Sequence, residues 1–353
     1  VSETIRVHIS KNMTAFFIFP LLLCGIKCSS IFLLILFSNS YYFNNLHGKN
    51  ANFTQGAVCI DIGAGTTDIT VISGKKVHVV YHASIQYAGR CMFKPIYDNY
   101  KIFSGQNLSD QTLIDIDMRN NSDKYVDGLA ALEGQEIVRD VLQGCQLAVG
   151  GLFYYLGKII GELHGAGAYT QGTIPHVFVG GNGSRIFQWL TYSRTLKNNF
   201  YLDVLEKMLR DASGLKGLTK FHFKQSEAPK IEVASGMITP DAAKPADFFD
   251  AGKINETLFG KDTALYDSIL AGAEFSIGGK KFTAADFINA NDVSAGINVI
   301  ELTEFQKFIE CFNSAEHLWS GGIPLDKDIV VGVHADVVAQ AQIGLVDGLA
   351  EAD

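Results

Sequence analysis

The feature that most constrains this chain is a short apolar run, Ala57-Val58-Cys59-Ile60, that enters the turn Asp61-Ile-Gly-Ala-Gly-Thr-Thr-Asp68. A second alternating run, Ile69 to Ile72, leaves it. Ser73-Gly74 is a hairpin signal, and Lys75 to Tyr81 reads as the returning strand. The pattern predicts antiparallel strands with Asp61–Asp68 between two of them. Only glycine tolerates the full range of backbone angles in so tight a loop. Gly63 and Gly65 also let N–H groups approach an anion closely. The hydroxyls of Thr66 and Thr67 add donors beside them. Asp61 leaves the strand end, where a carboxylate suits Mg²⁺ held largely through water. Asp68 is placed to orient a water or the metal shell. A glycine-rich hairpin bend accounts for the glycines but not for two aspartates flanking paired threonines.

A second glycine turn follows far along the chain. Ile174 to Val179 reads as a buried strand, Gly180-Gly-Asn-Gly-Ser184 as its turn, and Arg185 to Leu190 as the start of a helix. Backbone amides at a helix start can meet a phosphate or ribose edge, although Gly/Asn/Ser clusters are also ordinary caps. No complete G-x-G-x-x-G is present. Arg185 suits stacking on adenine; a solvated surface arginine is the other reading.

Between the turns, Pro95 to Asp127 is polar and weakly patterned. Ile137 to Leu163 has helical spacing through Val141, Cys145, Ala148, Leu152, Tyr155 and Ile159. Ile231 to Ala234 is a short apolar segment, and Pro240 and Pro245 suggest a boundary near 240. Beyond it, Phe275 to Phe282 carries a Gly-Gly hairpin, and Ile329 to Val333 reads as a strand.

The two turns, in this order, resemble those of the actin, heat-shock chaperone and sugar-kinase ATPase superfamily. Asp61–Asp68 is similar to its second phosphate motif. Gly180–Ser184 is similar to its adenosine motif, one residue longer than the common G-G-G-S form. Ser84-Ile-Gln-Tyr-Ala-Gly-Arg90 and Lys230-Ile-Glu-Val-Ala-Ser-Gly236 resemble the segments that follow each. The resemblance spans roughly residues 55–240. It implies an α/β fold: a ribonuclease-H-like ATPase lobe with a mixed sheet flanked by helices, plus a C-terminal α/β extension. It implies ATP and Mg²⁺ as cofactors. Gly63, Ala64, Gly65, Thr66 and Thr67 would hold phosphate. Gly180, Gly181, Asn182, Gly183, Ser184 and Arg185 would surround adenosine. Asp61 would hold the metal, and Asp61 and Asp68 would carry slow hydrolysis. The family also has an N-terminal lobe with another D-x-G-T turn, and the sixty residues before Asp61 contain none. The expected organisation is therefore an apolar segment over 1–55, a nucleotide-binding lobe over 56–240 and an α/β region over 241–353, without the first lobe.

Function divides two ways. One is a Mg·ATP-driven switch or filament, with nucleotide and either self-assembly or a protein partner as its contacts. The other is a non-catalytic interaction protein that keeps the lobe as a scaffold. A sugar kinase needs a general-base aspartate beyond the two named. A chaperone needs a long substrate domain, which the tail past 240 does not offer. Neither nucleic acid nor a disulfide-rich secreted class fits: 29 basic against 37 acidic residues leave a charge of −8, and six cysteines are spread over 353 residues.

The apolar run 16–37 is long enough to span a bilayer. Pro20, Gly25 and Lys27 interrupt it, and a central lysine costs about 2.5–3.5 kcal/mol on insertion. Two buried strands, or a segment outside the folded body, remain alternatives. The sequence thus reads as cytoplasmic, with membrane association through 16–37 left open.

Overall fold

The computed structural model describes residues 56–73, 78–132, 134–192, 200–226, 275–277, 280–282 and 303–315. The protein is α/β, with a mixed, open five-stranded sheet flanked by helices. Three strands lead: β1 (Ala57–Ile62), β2 (Thr67–Ser73) and β3 (His78–Ile85). Short helices α1 (Gly89–Met92), α2 (Lys94–Asp98) and α3 (Tyr100–Ser104) follow, then the long α4 (Gln111–Leu132) and α5 (Glu136–Gly165). Then come β4 (His176–Gly180), a 3₁₀ turn (Asn182–Arg185), α6 (Ile186–Thr191), α7 (Phe200–Ser213) and β5 (Phe223–Gln225). A separate hairpin joins β6 (Phe275–Ile277) to β7 (Lys280–Phe282), and α8 (Thr303–Ser314) is the last described element.

The sheet order is β3-β2-β1-β4-β5. β1, β2 and β3 are antiparallel neighbours, while β4 runs parallel to β1 and β5 parallel to β4. β1 is therefore central and buried along nearly its whole length, as continuous apolar sequence requires of an interior strand. One sheet face presents Val58, Ile60, Ile62, Ile69, Val71, Val177 and Val179 to the main core. The other carries a small cluster of Ala57, Cys59, Ile72 and Phe178.

The helices build the main core around α5. Its buried residues occupy nearly every side of the helix between Val138 and Leu163. Gly157 and Gly161 let α7 come close: a Cβ on Gly157 would stand 2.6 Å from the Ala212 Cβ, and one on Gly161 would stand 2.9 Å from the Ser213 carbonyl. Through Phe308, Ile309, Cys311 and Phe312, α8 joins the same core, packing on α5 and α7. α4 is capped by Asp110, whose Oδ1 accepts hydrogen bonds from Thr112 N (2.7 Å) and Leu113 N (3.1 Å).

Several expectations are met and several move. The turn between β1 and β2 is tighter than expected: Asp61 and Ile62 end β1, and Thr67 and Asp68 begin β2. The returning strand extends past Tyr81 to Ile85. The segment read as weakly patterned, 95–127, is largely helical, running through α2, α3 and most of α4; the buried stripe of α4, Ile114, Met118, Ser122, Tyr125, Val126 and Leu129, is blurred by exposed Leu113 and Ile116. The 275–282 hairpin pairs Phe275 with Phe282. Among the described residues, Cys59, Cys91, Cys145 and Cys311 form no disulfide. Lys230–Gly236, the boundary near 240 and the strand at 329–333 lie outside the described residues.

The localisation expected from the sequence is corrected. Among the described residues, no helix is long and apolar enough to cross a membrane. The longest, α5, carries Glu136, Arg139, Asp140, Lys158 and Glu162 and fills a protein core. Membrane association through 16–37 is withdrawn; those residues lie outside the described ones.

Candidate functional site

Because β4 lies parallel to β1, the turns that leave their C-terminal ends emerge side by side. β1 is also where the strand order reverses, with β2 and β3 on one side and β4 and β5 on the other. Open α/β sheets bind ligands in the crevice at such a reversal.

The first turn is closed by Gly63 N donating to the Thr66 carbonyl at 2.9 Å. The start of α1 pins it from one side: Gly89 N donates to the Gly63 carbonyl (3.0 Å), and Arg90 N to the Ala64 carbonyl (2.9 Å). Ala64, Gly65 and Thr66 are exposed. Among the described residues, no group accepts a hydrogen bond from their three amides. Successive free N–H groups in an exposed turn make an anion-binding concavity. The Thr67 hydroxyl is committed elsewhere, donating to the Tyr87 carbonyl at 2.6 Å within the core.

Asp61 and Asp68 stand directly opposite each other across the β1–β2 ladder, and Asp61 is also level with Gly180 on β4. Burial raises the Asp68 carboxyl above the ordinary carboxylate value; a hydrogen bond from Ser84 opposes that rise, and the Asp61 charge adds to it. Among the described residues, the buried Asp68 Oδ1 has no hydrogen-bond partner. Two facing carboxylates of this kind fit a hard divalent cation that keeps most of its water. Among the described residues, no group of three or more His, Cys, Asp or Glu forms a complete metal cage.

The second turn packs onto the first. Gly181 has φ +75°, and a Cβ there would strike the Asp61 Oδ1 and the Ile62 carbonyl. A Cβ on Gly183 would lie 2.8 Å from the Gly63 carbonyl, and one on Gly89 would lie 3.2 Å from the Gly183 Cα. Three separate segments therefore meet backbone to backbone. Ser184 is buried, and Gln225 of β5 donates to its carbonyl (2.7 Å) and hydroxyl (3.1 Å). It shapes the turn rather than lining its mouth. Asn182 and Arg185 are half-buried, and Arg185 Nη1 lies 3.5 Å from Asp123 Oδ1 on α4.

The structure thus brings Asp61, Gly63, Ala64, Gly65, Thr66, Asp68 and Gly180–Arg185 to one end of the sheet. It turns the Thr67 and Ser184 side chains inward. Sequence reasoning missed Gln225 and Asp123. Neither sits in a recognisable motif, and Asp123 belongs to a helix whose pattern was obscured. A separate cleft between α7 and β5, lined by Leu202, Asp203, Glu206, Lys220, Phe221, His222, Phe223 and Lys224, contains none of these residues. No family model matches the chain, and it has no significant match among curated proteins.

Proposed function

We propose that this protein binds Mg·ATP across its two glycine turns, as a ribonuclease-H-like lobe of the actin, heat-shock chaperone and sugar-kinase type. The observation that carries the reading is the contact of Gly181 and Gly183 with Asp61–Gly63. That contact joins the phosphate-like turn and the adenosine-like turn into a single cradle. The strand order, three antiparallel strands continued by two parallel ones, supports the finer fold assignment.

The free amides of Ala64, Gly65 and Thr66 would bind the terminal phosphates, and Arg185 would lie against the base. Mg²⁺, when bound, supplies charge neutralisation on the phosphate oxygens. Asp61 would hold it, and Asp68 would order a water at the same end of the sheet. Hydrolysis would rest on charge neutralisation and water positioning rather than on a covalent intermediate, and in this reading it is slow and serves a conformational switch or filament assembly.

Thermal melting tests the reading. Ligand that binds only the folded state at a hundredfold excess over Kd adds about 2.7 kcal/mol. Mg·ATP is therefore expected to raise Tm by several degrees, and Asp61→Ala to abolish the rise. An unchanged Tm at millimolar Mg·ATP contradicts the proposal. Light scattering with and without ATP then separates filament from switch.

A further inference from the structure

Arg185 closes the 3₁₀ turn after β4 and leads directly into α6. Its ion-pair partner, Asp123, comes from α4, which lies outside both glycine turns. One residue before Asp123, Ser122 is buried, and its hydroxyl accepts a hydrogen bond from Trp189 Nε1 at 2.9 Å. Trp189 is a fully buried residue of α6, wedged edge-on against Phe93 and Phe103 and tilted against Tyr125. The register of α4 on α6 is therefore locked one residue away from the ion pair. Eight residues earlier on α4, Asp115 reaches Arg90 at 3.8 Å, the residue whose amide holds the Ala64 carbonyl. α4 thus touches the neighbours of both turns.

An exposed ion pair between two free side chains contributes little to stability. Here the Ser122–Trp189 contact fixes α4 against α6, so the pair restricts where the guanidinium can lie. We propose that Asp123 is a positioning residue for recognition of a purine base. Its carboxylate, 3.5 Å from Nη1, holds the N–H edge of Arg185, and the face of the guanidinium is the part that would stack on the base. Arginine is suited to this, since edge and face can be used at once. Holding the side chain in place before the ligand arrives removes an ordering cost that binding would otherwise bear. The inference rests on the nucleotide reading above, and its ligand is the base portion of that nucleotide.

Isothermal titration of the full chain with Mg·ATP and with Mg·tripolyphosphate, which has no base, tests it. Asp123→Asn is expected to weaken ATP binding about 3- to 10-fold while leaving tripolyphosphate binding unchanged. Arg185→Gln is expected to weaken ATP at least as much, with no further loss in the double variant, and Asp123→Glu to restore part of the affinity. Wild-type ATP affinity in Asp123→Asn, or equal loss for both ligands, overturns the inference alone. A wild-type chain that binds neither ligand overturns the nucleotide reading, and the inference with it.

Discussion

Gly181 shows what the glycine-rich turns are for. Its φ of +75° is one that L side chains rarely adopt, and its missing Cβ makes room for the Asp61 carboxylate and the Ile62 carbonyl. Gly183 and Gly89 likewise stand where a side chain would meet backbone. Gly181→Ala is expected to cost about 2–4 kcal/mol through strain and overlap, read by urea denaturation. It should also weaken Mg·ATP binding by pushing the two turns apart. At this scale much was legible in the sequence: the turns and their aspartates were visible as motifs. What was not legible is which donors remain available. Thr66 and Thr67 look equivalent in the sequence, yet the strand begins at Thr67 and turns its hydroxyl toward the Tyr87 carbonyl. Only the pairing of β2 decides that.

Among the elements, α5 was readable and α4 and α7 were not. The α5 stripe is broad enough to survive its internal glycines. The α4 stripe includes the polar Ser122 and competes with the exposed Leu113 and Ile116. The sequence reading assigns no element to 200–213, although Val204, Leu205, Met208 and Leu209 of α7 are all buried at helical spacing. Glycines in these helices separate packing from propensity. Gly157 meets Ala212 and the Leu209 carbonyl, whereas Gly128 on α4 faces open space. Gly157→Ala is expected to destabilise by about 1–3 kcal/mol through overpacking. Gly128→Ala is expected to stabilise by up to about 1 kcal/mol through helix propensity. Chemical denaturation of the two variants beside wild type measures both. A Gly157→Ala protein as stable as wild type would mean that α5 and α7 are not in close contact.

On the scale of the whole molecule, the sheet turns two distant motifs into neighbours. β1 and β4 are parallel and adjacent, so their C-terminal turns leave on the same edge, while β2 and β3 lie on one side and β5 on the other. No local pattern in the sequence encodes that adjacency. It follows from the long crossover through α1–α5, which returns the chain to the far side of β1. α8 adds a further non-local tie, carrying Phe308 and Phe312 from beyond residue 300 into the same core. The central claim is that the two turns are halves of one nucleotide site. Hydrogen exchange read by mass spectrometry, with and without Mg·ATP, addresses it directly. The account predicts slowed exchange in the peptides covering 61–66 and 180–185 together, at the same nucleotide concentration. Protection of one turn without the other, or of neither, would contradict it.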